Sequence, residues 1–222
     1  YREELQGLIG YLPQAFGTYE NMSALEFLDY QAILKGIKDD KTRTDRINYV
    51  LKNVHMFDRR KDKIGSFSGG MKQRIGIAQI LLNLPRILVV DEPTAGLDPR
   101  ERIRFRNLLV ELSRERVVIF STHIIEDISS SCNQVAVINR GDLKYFGTPN
   151  AMAKIGEGFV WQITIPAKDF DAFAKEQLIV HHMREGENIK LRCLSQEKPT
   201  EDAMSVAPHL EDSYLCLLKD YV

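Results

Sequence analysis

The chain has 222 residues, of which 44% are hydrophobic and 27% charged, a composition typical of a folded globular protein with a full core. Thirty Lys and Arg residues against 31 Asp and Glu leave a net charge of −1, which excludes a global electrostatic attraction to nucleic acid or to an anionic membrane. The three cysteines, Cys132, Cys193 and Cys216, form no C-x-x-C motif and are interpreted as reduced thiols of a cytosolic protein. The best apolar run, AQILLNLPRILVV, is interrupted by polar residues and a proline, so no segment is predicted to span a bilayer.

The first part of the chain predicts a short strand and then a helical region. GLIGYLPQ (Gly7 to Gln14) is typical of a strand that ends at a proline. From Asn21 to about Arg60 apolar residues recur at helical spacing, and Ser23 with Glu26 forms a capping box ahead of FLDYQAIL. The charged cluster DRRKDK is interpreted as a solvated loop between helices.

Strands and helices then alternate. FSGGMKQR opens a helix predicted over about Gly70 to Leu84, and ILVVD follows as a buried parallel strand because the run is apolar along its whole length. Asp98 is a good N-cap, with Pro99 in the first helical position, for RERIRFRNLLVELSRE, and VVIFSTH reads as a second buried strand. QVAVINRGDLKYFG is predicted to be a hairpin that turns at Arg140 and Gly141. This alternation favours an α/β core with a mostly parallel sheet.

The pattern changes after Gly156. FVWQITI, LIVHHM and IKLRCL are short strands, with a helix at about Ala167 to Lys175, which predicts a small α+β accessory domain. His181 and His182 are neighbours on a strand and point to opposite faces, which argues against a shared metal ion. The predicted domains are residues 1–150, an α/β core with a helical subdomain at about 20–62, and residues 151–222, the accessory domain.

Two segments carry residues suited to phosphate chemistry. Ser68, Gly69 and Gly70 begin a helix, where free backbone N–H groups and the positive end of the dipole favour an anion. Asp91 follows a buried strand, at the edge where open α/β sheets bind ligands, and is suited to hold Mg²⁺ directly or through a water. The next residue, Glu92, can polarise an attacking water.

Five motifs, in this order, resemble those of the ATP-binding subunits of ABC transporters. GYLPQ resembles the Q-loop, with Gln14 at the glutamine, and FSGGMKQR resembles the signature motif. ILVVDEP resembles the Walker B strand with the catalytic glutamate, AGLD the D-loop, and FSTH the H-loop with His123 at the switch histidine. The match covers roughly residues 7 to 150. It implies a P-loop NTPase-like ABC ATPase core, N-terminally truncated, with ATP and Mg²⁺ as ligands.

The resemblance implies a shared active site. In this family two subunits pack head to tail, and each ATP lies between the phosphate loop of one subunit and the signature of the other. Ser68, Gly69 and Gly70 would therefore face the γ-phosphate bound by a partner subunit. Asp98 would reach across the dimer, although capping its own helix is an equally physical role.

The resemblance also implies the catalytic roles. Glu92 would orient the hydrolytic water, and His123 would bond the γ-phosphate and help to position that water. Gln14 would contact Mg²⁺, together with Asp91, and report the nucleotide state to the membrane domain. These roles amount to positioning and charge stabilisation, as phosphoryl transfer requires.

Two departures from the family pattern carry information. The signature has Met71 where the family commonly has Gln, with Gln73 two residues later, a version that resembles ABC-2-type exporters of the bacitracin-resistance and sodium-export kind. No G-x-x-x-x-G-K-[ST] phosphate loop occurs in the 222 residues, since Gly36 ahead of Lys41 and Thr42 lacks the second glycine. In the family that loop precedes the Q-loop, so we expect it upstream of the first residue and expect this chain alone to be inactive.

The resemblance also predicts the partners. The surface of the helical subdomain would dock the membrane subunit. RKDKIGSFSGG lacks the acidic stretch of exporters that fuse their membrane and ATPase parts, which favours permease subunits on separate chains. The tail VAPHLEDSYLCLLKD resembles the C-terminal domain of the ABC-2 branch. The predicted protein is a cytoplasmic homodimer, peripheral on the inner face of the cell membrane, that reaches the membrane only through the permease and binds no nucleic acid.

Two alternatives remain open. A soluble ABC ATPase of the translation-factor type would normally show two ATPase cassettes, and one of the DNA-repair type a long coiled-coil insertion; this chain has neither. A non-hydrolysing partner or fragment that lends only its signature is the second alternative. The presence of Glu92 and His123 argues against it, since degenerate subunits tend to lose these residues.

Overall fold

The computed structural model describes residues 7–17, 19–219 and 221. The chain divides into two compact units between Ile124 and Ile125. The predicted domain boundary at residue 150 is a different division of the chain and stays a prediction. Among the described residues, no helix combines the length and the apolar character that crossing a membrane requires.

The first unit contains a parallel three-stranded sheet, as the α/β pattern predicts. Its strands are β1 (Ile9–Leu12), β2 (Ile87–Val90) and β3 (Val117–Phe120), in the order β1-β2-β3. Leu12 pairs with Val90, and Val90 with Phe120, so the three strands end at the same level. The helices are α1 (Ala24–Leu34), α2 (Asp40–Asn53), α3 (Gly69–Leu81) and α4 (Pro99–Leu112).

Side-chain caps explain where these helices begin. Ser23 and Glu26 form the predicted capping box at α1, and Asp98 caps α4 by accepting from the N–H groups of the second and third helical residues at 3.0 Å. The helix predicted over about Gly70 to Leu84 ends three residues earlier. Leu84 has a φ of +48°, and a residue before a proline avoids the right-handed helical region.

One face of the parallel sheet is buried and the other is accessible. Leu12, Leu88 and Val90 are buried in the core of the first unit. Val117 and Ile119, whose side chains are on the opposite face, are 57% and 53% exposed. No residue of β3 is fully buried, so the expectation that VVIFSTH is a buried strand is wrong. An uninterrupted apolar run cannot distinguish a strand covered on both faces from one covered on one face, because its sequence is apolar in either case.

This asymmetry predicts opposite responses to substitution in adjacent strands. Leu88→Ala is expected to lower the free energy of unfolding by about 2–5 kcal/mol, because it removes a fully buried side chain and leaves a cavity. Ile119→Thr is expected to change it by less than about 0.5 kcal/mol. Urea unfolding followed by far-ultraviolet circular dichroism measures both. Equal losses would mean that the Ile119 face is covered in solution.

The second unit begins with a helix, a hairpin and a short helix. These are α5 (Ile125–Ser131), the strands β4 (Val135–Asn139) and β5 (Asp142–Gly147), and α6 (Pro149–Ala153). Arg140 and Gly141 form the turn with φ values of +52° and +92°, the left-handed pair that a two-residue hairpin turn requires. The predicted hairpin and its turn are confirmed.

A four-stranded antiparallel sheet in the order β7-β8-β6-β9 forms the rest of the second unit. Its elements are β6 (Val160–Pro166), α7 (Phe170–Glu176), β7 (Leu178–Glu185), β8 (Asn188–Leu194), β9 (Met204–Ser205) and α8 (Leu210–Leu218). Three of the strands and α7 match the sequence pattern; β9, with two residues, is too short to show a period. The pKa of the Cys193 thiol is raised to about 11 by burial, so this thiol is protonated at neutral pH.

The two neighbouring histidines of β7 lie on opposite faces of this sheet. His181 pairs with Arg192 and His182 with Leu191, which are themselves on opposite faces of β8. The His182 ring lies 4.8 Å from the ring of Phe170. Among the described residues no three metal-ligating side chains form a group. The pairing thus supports the argument against a metal ion shared by the two histidines.

Candidate functional site

The predicted catalytic residues lie at the carboxyl ends of the three parallel strands. Gln14 follows β1 by two residues, Asp91 and Glu92 come directly after β2, and His123 lies three residues beyond β3. Because the strands are parallel and in register, these residues share one edge of the sheet. Open α/β sheets bind their ligands at this edge.

The carboxylate of Glu92 contacts two of the other residues at this edge. Gln14 Nε2 donates a hydrogen bond to Glu92 Oε2 at 2.9 Å. His123 Nδ1 lies 3.2 Å from Glu92 Oε1 and donates to it when that nitrogen carries the proton. Residues 14, 92 and 123 are distant in sequence and meet here through one side chain. The structure therefore brings together the three residues that the sequence analysis names as catalytic.

Ser121 holds both acidic residues in place. Its hydroxyl donates to Asp91 Oδ1 at 2.5 Å and accepts the backbone N–H of Glu92 at 2.9 Å. Glu92 has a φ of +42°, in the left-handed region that costs a residue with a Cβ about 1–3 kcal/mol and is typical of functional sites. The motif FSTH predicts a role for its histidine but none for Ser121. Its position as the first residue after β3, level with Asp91 after β2, was the signal.

Removing the Ser121 hydroxyl is expected to weaken this arrangement. Ser121→Ala should lower the free energy of unfolding by about 1 kcal/mol, because the N–H of Glu92 and the Asp91 carboxylate each lose a hydrogen-bond partner near water. Ser121→Thr keeps a hydroxyl and should retain most of that stability. Thermal unfolding of the three proteins measures the difference. A stability loss in Ser121→Thr as large as in Ser121→Ala would attribute the effect to packing rather than to hydrogen bonding.

The residues suited to Mg²⁺ are oxygen donors at this same edge. Asp91 offers a carboxylate, and Gln14, whose Nε2 is engaged by Glu92, retains a carbonyl oxygen. Mg²⁺ in nucleotide sites is typically held by one or two protein oxygens together with substrate phosphates and waters. Two oxygen ligands therefore fit the ion, although no larger acidic cluster is present among the described residues.

The predicted nucleotide-binding residues Ser68 and Gly69 lie at the N-terminus of α3. Ser68 caps the helix by accepting from the N–H of Met71 at 3.3 Å, and both Ser68 and Gly69 are exposed. Gly70 is buried. A Cβ on Gly69 would lie 3.4 Å from Leu97, so this helix end lies beside the loop that leads into α4. Asp98 caps α4 with its side chain, the structural role that the sequence analysis kept open.

Comparison with known proteins decides the family. The family model described as "ABC transporter" matches residues 1–95. An uncharacterized ABC transporter ATP-binding protein of Bacillus subtilis, YxlF, is 35% identical over 161 residues, 72% of this chain and 54% of that protein. The chain belongs to the ABC transporter ATP-binding proteins. The recognition made from five ordered motifs is thus confirmed.

Further relatives agree with this membership. The bacitracin transport ATP-binding protein BcrA of Bacillus licheniformis is 37% identical over 144 residues, 64% of this chain and 46% of that protein. The solved structure of CbiO1 from Clostridium perfringens, part of the ABC transporter complex CbiONQ, superposes with a TM-score of 0.60 at 28% identity and covers 67% of this chain and 60% of that one. The predicted ABC ATPase fold is confirmed. The chain spans about half the length of the curated relatives it matches.

Proposed function

We propose that this chain is the ATP-hydrolysing subunit of an ABC-2-type exporter. The observation that carries the proposal is the Glu92 carboxylate, held between the amide of Gln14 and the ring of His123 at the carboxyl edge of a parallel sheet. Such a carboxylate can accept a proton from an attacking water while its neighbours fix its direction. Similarity to the bacitracin transport protein BcrA supports the exporter branch.

Each site residue has a role in this proposal. Glu92 orients the water, His123 donates toward the γ-phosphate, and Gln14 with Asp91 would hold Mg²⁺. Mg²⁺ held by these two residues would supply charge neutralisation to the phosphate groups. The N–H groups at the start of α3, with the exposed Ser68, would contact the γ-phosphate of a nucleotide held by the partner subunit in a head-to-tail homodimer.

The proposal extends to the assembly. Separate permease subunits would hold this chain at the inner face of the membrane. A part of an ABC transporter complex, CbiO1 of CbiONQ, is among the solved structures that it resembles, which supports an assembly of several subunits.

A second candidate is a non-hydrolysing subunit that contributes only the signature side of a shared site. The observation that favours it is that Ser68 and Gly69, at the start of α3, are exposed and therefore accessible to a nucleotide held by another subunit.

Calorimetric titration with Mg–ATP separates the two candidates. The 222-residue chain is titrated in parallel with Glu92→Gln, so that heat from turnover does not obscure binding. Saturable binding, with phosphate release by the unsubstituted chain, would support a complete ATPase. No heat at millimolar nucleotide would favour the signature-only candidate for this chain. The complete product of the gene is then assayed, and if it neither binds nor hydrolyses ATP the ATPase proposal is wrong.

A further inference from the structure

The buried glycine of the signature motif packs within its own subunit. A Cβ on Gly70 would overlap with Glu101 Oε2 and lie 3.1 Å from the Cβ and Cδ of Glu101. Glu101 belongs to the first turn of α4, directly after the D-loop. Of the three signature residues, Ser68 and Gly69 are accessible to a ligand, whereas Gly70 is covered by this carboxylate. A methyl group at this position would therefore have to displace the Glu101 carboxylate, which occupies the space.

The carboxylate of Glu101 is held by two arginines in different environments. Arg74 Nη2, from the signature helix α3, donates to Glu101 Oε2 at 3.1 Å, and both side chains are only 13% exposed. Arg104, one turn further along α4, donates to Glu101 Oε1 at 2.7 Å and is 59% exposed. Only the Arg74 pair joins two helices. It is also the better shielded from water, so it contributes more to the packing than the exposed pair.

The loop ahead of α4 adds a second contact to the same helix end. Leu97 is buried in the core of the first unit, and its Cδ2 lies 3.4 Å from where a Cβ of Gly69 would be. The side chain of Asp98 accepts from the N–H of Glu101 at 3.0 Å, which ties Glu101 to the D-loop backbone. Leu97 and Glu101 thus both contact the first turn of α3.

We propose that Glu101 is a positioning residue that locks the D-loop and the signature helix into one rigid element through Arg74, and that Gly70 is a glycine because of this lock. The functional consequence of this contact, a fixed spacing at the subunit interface, rests on the proposed function. The signature N–H groups and Asp98, both predicted to act at the subunit interface, would keep a fixed spacing as the subunits approach each other. A displacement of either segment would move the other.

Hydrogen–deuterium exchange tests the lock on the 222-residue chain itself. Arg74→Gln is expected to speed exchange about tenfold in two separate peptides, residues 69–76 and 96–104, and to leave β2 unchanged. Arg104→Gln is the matched control, because it removes the other arginine from the same carboxylate and should leave both peptides as they are. A change in only one peptide, or equal changes in both variants, would overturn the proposal.

A double-mutant cycle tests the explanation of Gly70. Gly70→Ala should raise the equilibrium constant of unfolding about tenfold, because the new methyl group displaces the Glu101 carboxylate from Arg74. With Glu101→Ala already present, the same change should have no adverse effect, since the remaining Cβ must move only by tenths of an ångström and Ala favours a helix over Gly. Additive effects would show that Glu101 does not occupy the space that Gly70 leaves open.

A kinetic measurement distinguishes positioning from stability alone. In the hydrolysis assay of the complete gene product, Arg74→Gln should lower kcat about tenfold while the Kd for Mg–ATP, measured with Glu92→Gln also present, is unchanged. An unchanged kcat would contradict a positioning role. If the unsubstituted protein hydrolyses no ATP, the proposed function fails, and the exchange experiment still decides whether the lock exists.

Discussion

Glu92→Gln is expected to lower the rate of phosphate release about a thousandfold and to leave Mg–ATP binding intact. The amide has the same shape as the carboxylate, and its oxygen can still accept the hydrogen bond of Gln14 Nε2. It has lost the negative charge and the basicity that draw a proton from water, and general base catalysis typically contributes a factor of about 10²–10⁴. Steady-state phosphate release by the complete gene product measures the rate.

The control for this experiment is a carboxylate of the same type outside the site. Glu197 is exposed in the second unit, so Glu197→Gln alters the net charge by the same amount. It should leave the rate within about twofold of the unsubstituted protein. Loss of nucleotide binding in Glu92→Gln would mean that the carboxylate holds the ligand rather than the water. An equal rate in Glu92→Gln and the unsubstituted protein would assign the base to another residue.

The motifs predict where the candidate catalytic residues lie in the fold, because each motif follows the end of a strand. The run ILVVD predicts β2, and a residue at the end of a parallel strand lies at the ligand edge whatever the rest of the fold does. Gln14 and His123 follow from the same rule for β1 and β3. Their hydrogen bonds to Glu92 could not be predicted, since they depend on the positive φ of Glu92 and on rotamers set by neighbouring strands.

Contacts between helices that are far apart in sequence cannot be predicted from the motifs. Arg74 and Glu101 are 27 residues apart on α3 and α4, and either one alone reads as a solvated charge on a helix. Gly70 was assigned to the nucleotide because a Ser-Gly-Gly at a helix start favours an anion. Its burial against Glu101 gives a second reason for the same glycine. A glycine in a motif can therefore serve the approach of a ligand or of the protein's own side chain, and only the packing tells which.

Burial of the sheet is the feature that the sequence predicts least well. Hydrophobic periodicity predicts that a strand has an apolar face, but β3 is apolar on both faces although one remains accessible. In the second unit, by contrast, the strands of the sheet around β8 show alternation, with Ile189, Leu191 and Cys193 buried on one face. Alternation carries the information about which face is covered, and a continuous apolar run does not.

Asp212→Ala is expected to lower the free energy of unfolding of the second unit by about 3 kcal/mol. Asp212 is 1% exposed and accepts hydrogen bonds from Arg192 Nε at 3.1 Å, from Arg192 Nη2 at 2.6 Å and from the N–H of His209 at 2.6 Å. The substitution removes a cap of α8 and takes the Asp212 carboxylate from a half-buried guanidinium, which keeps its hydrogen bond to the carbonyl of Ala207. Breaking one side of a buried ion pair typically costs about 3–5 kcal/mol, and the lower value applies because Arg192 retains some contact with water.

Urea unfolding followed by the fluorescence of Trp161, the single tryptophan, measures this loss in the second unit. Asp202→Ala, an exposed aspartate in the same unit, is the control and should change stability by less than about 0.5 kcal/mol. Replacing both Arg192 and Asp212 by Leu should lose less stability than the sum of the two single Leu variants, because no charge is then left without its partner. If the two losses add, the ion pair makes no joint contribution, and the effect of Asp212→Ala arises from the helix cap alone. Asp212 would then matter for starting α8 but not for joining α8 to the sheet through Arg192.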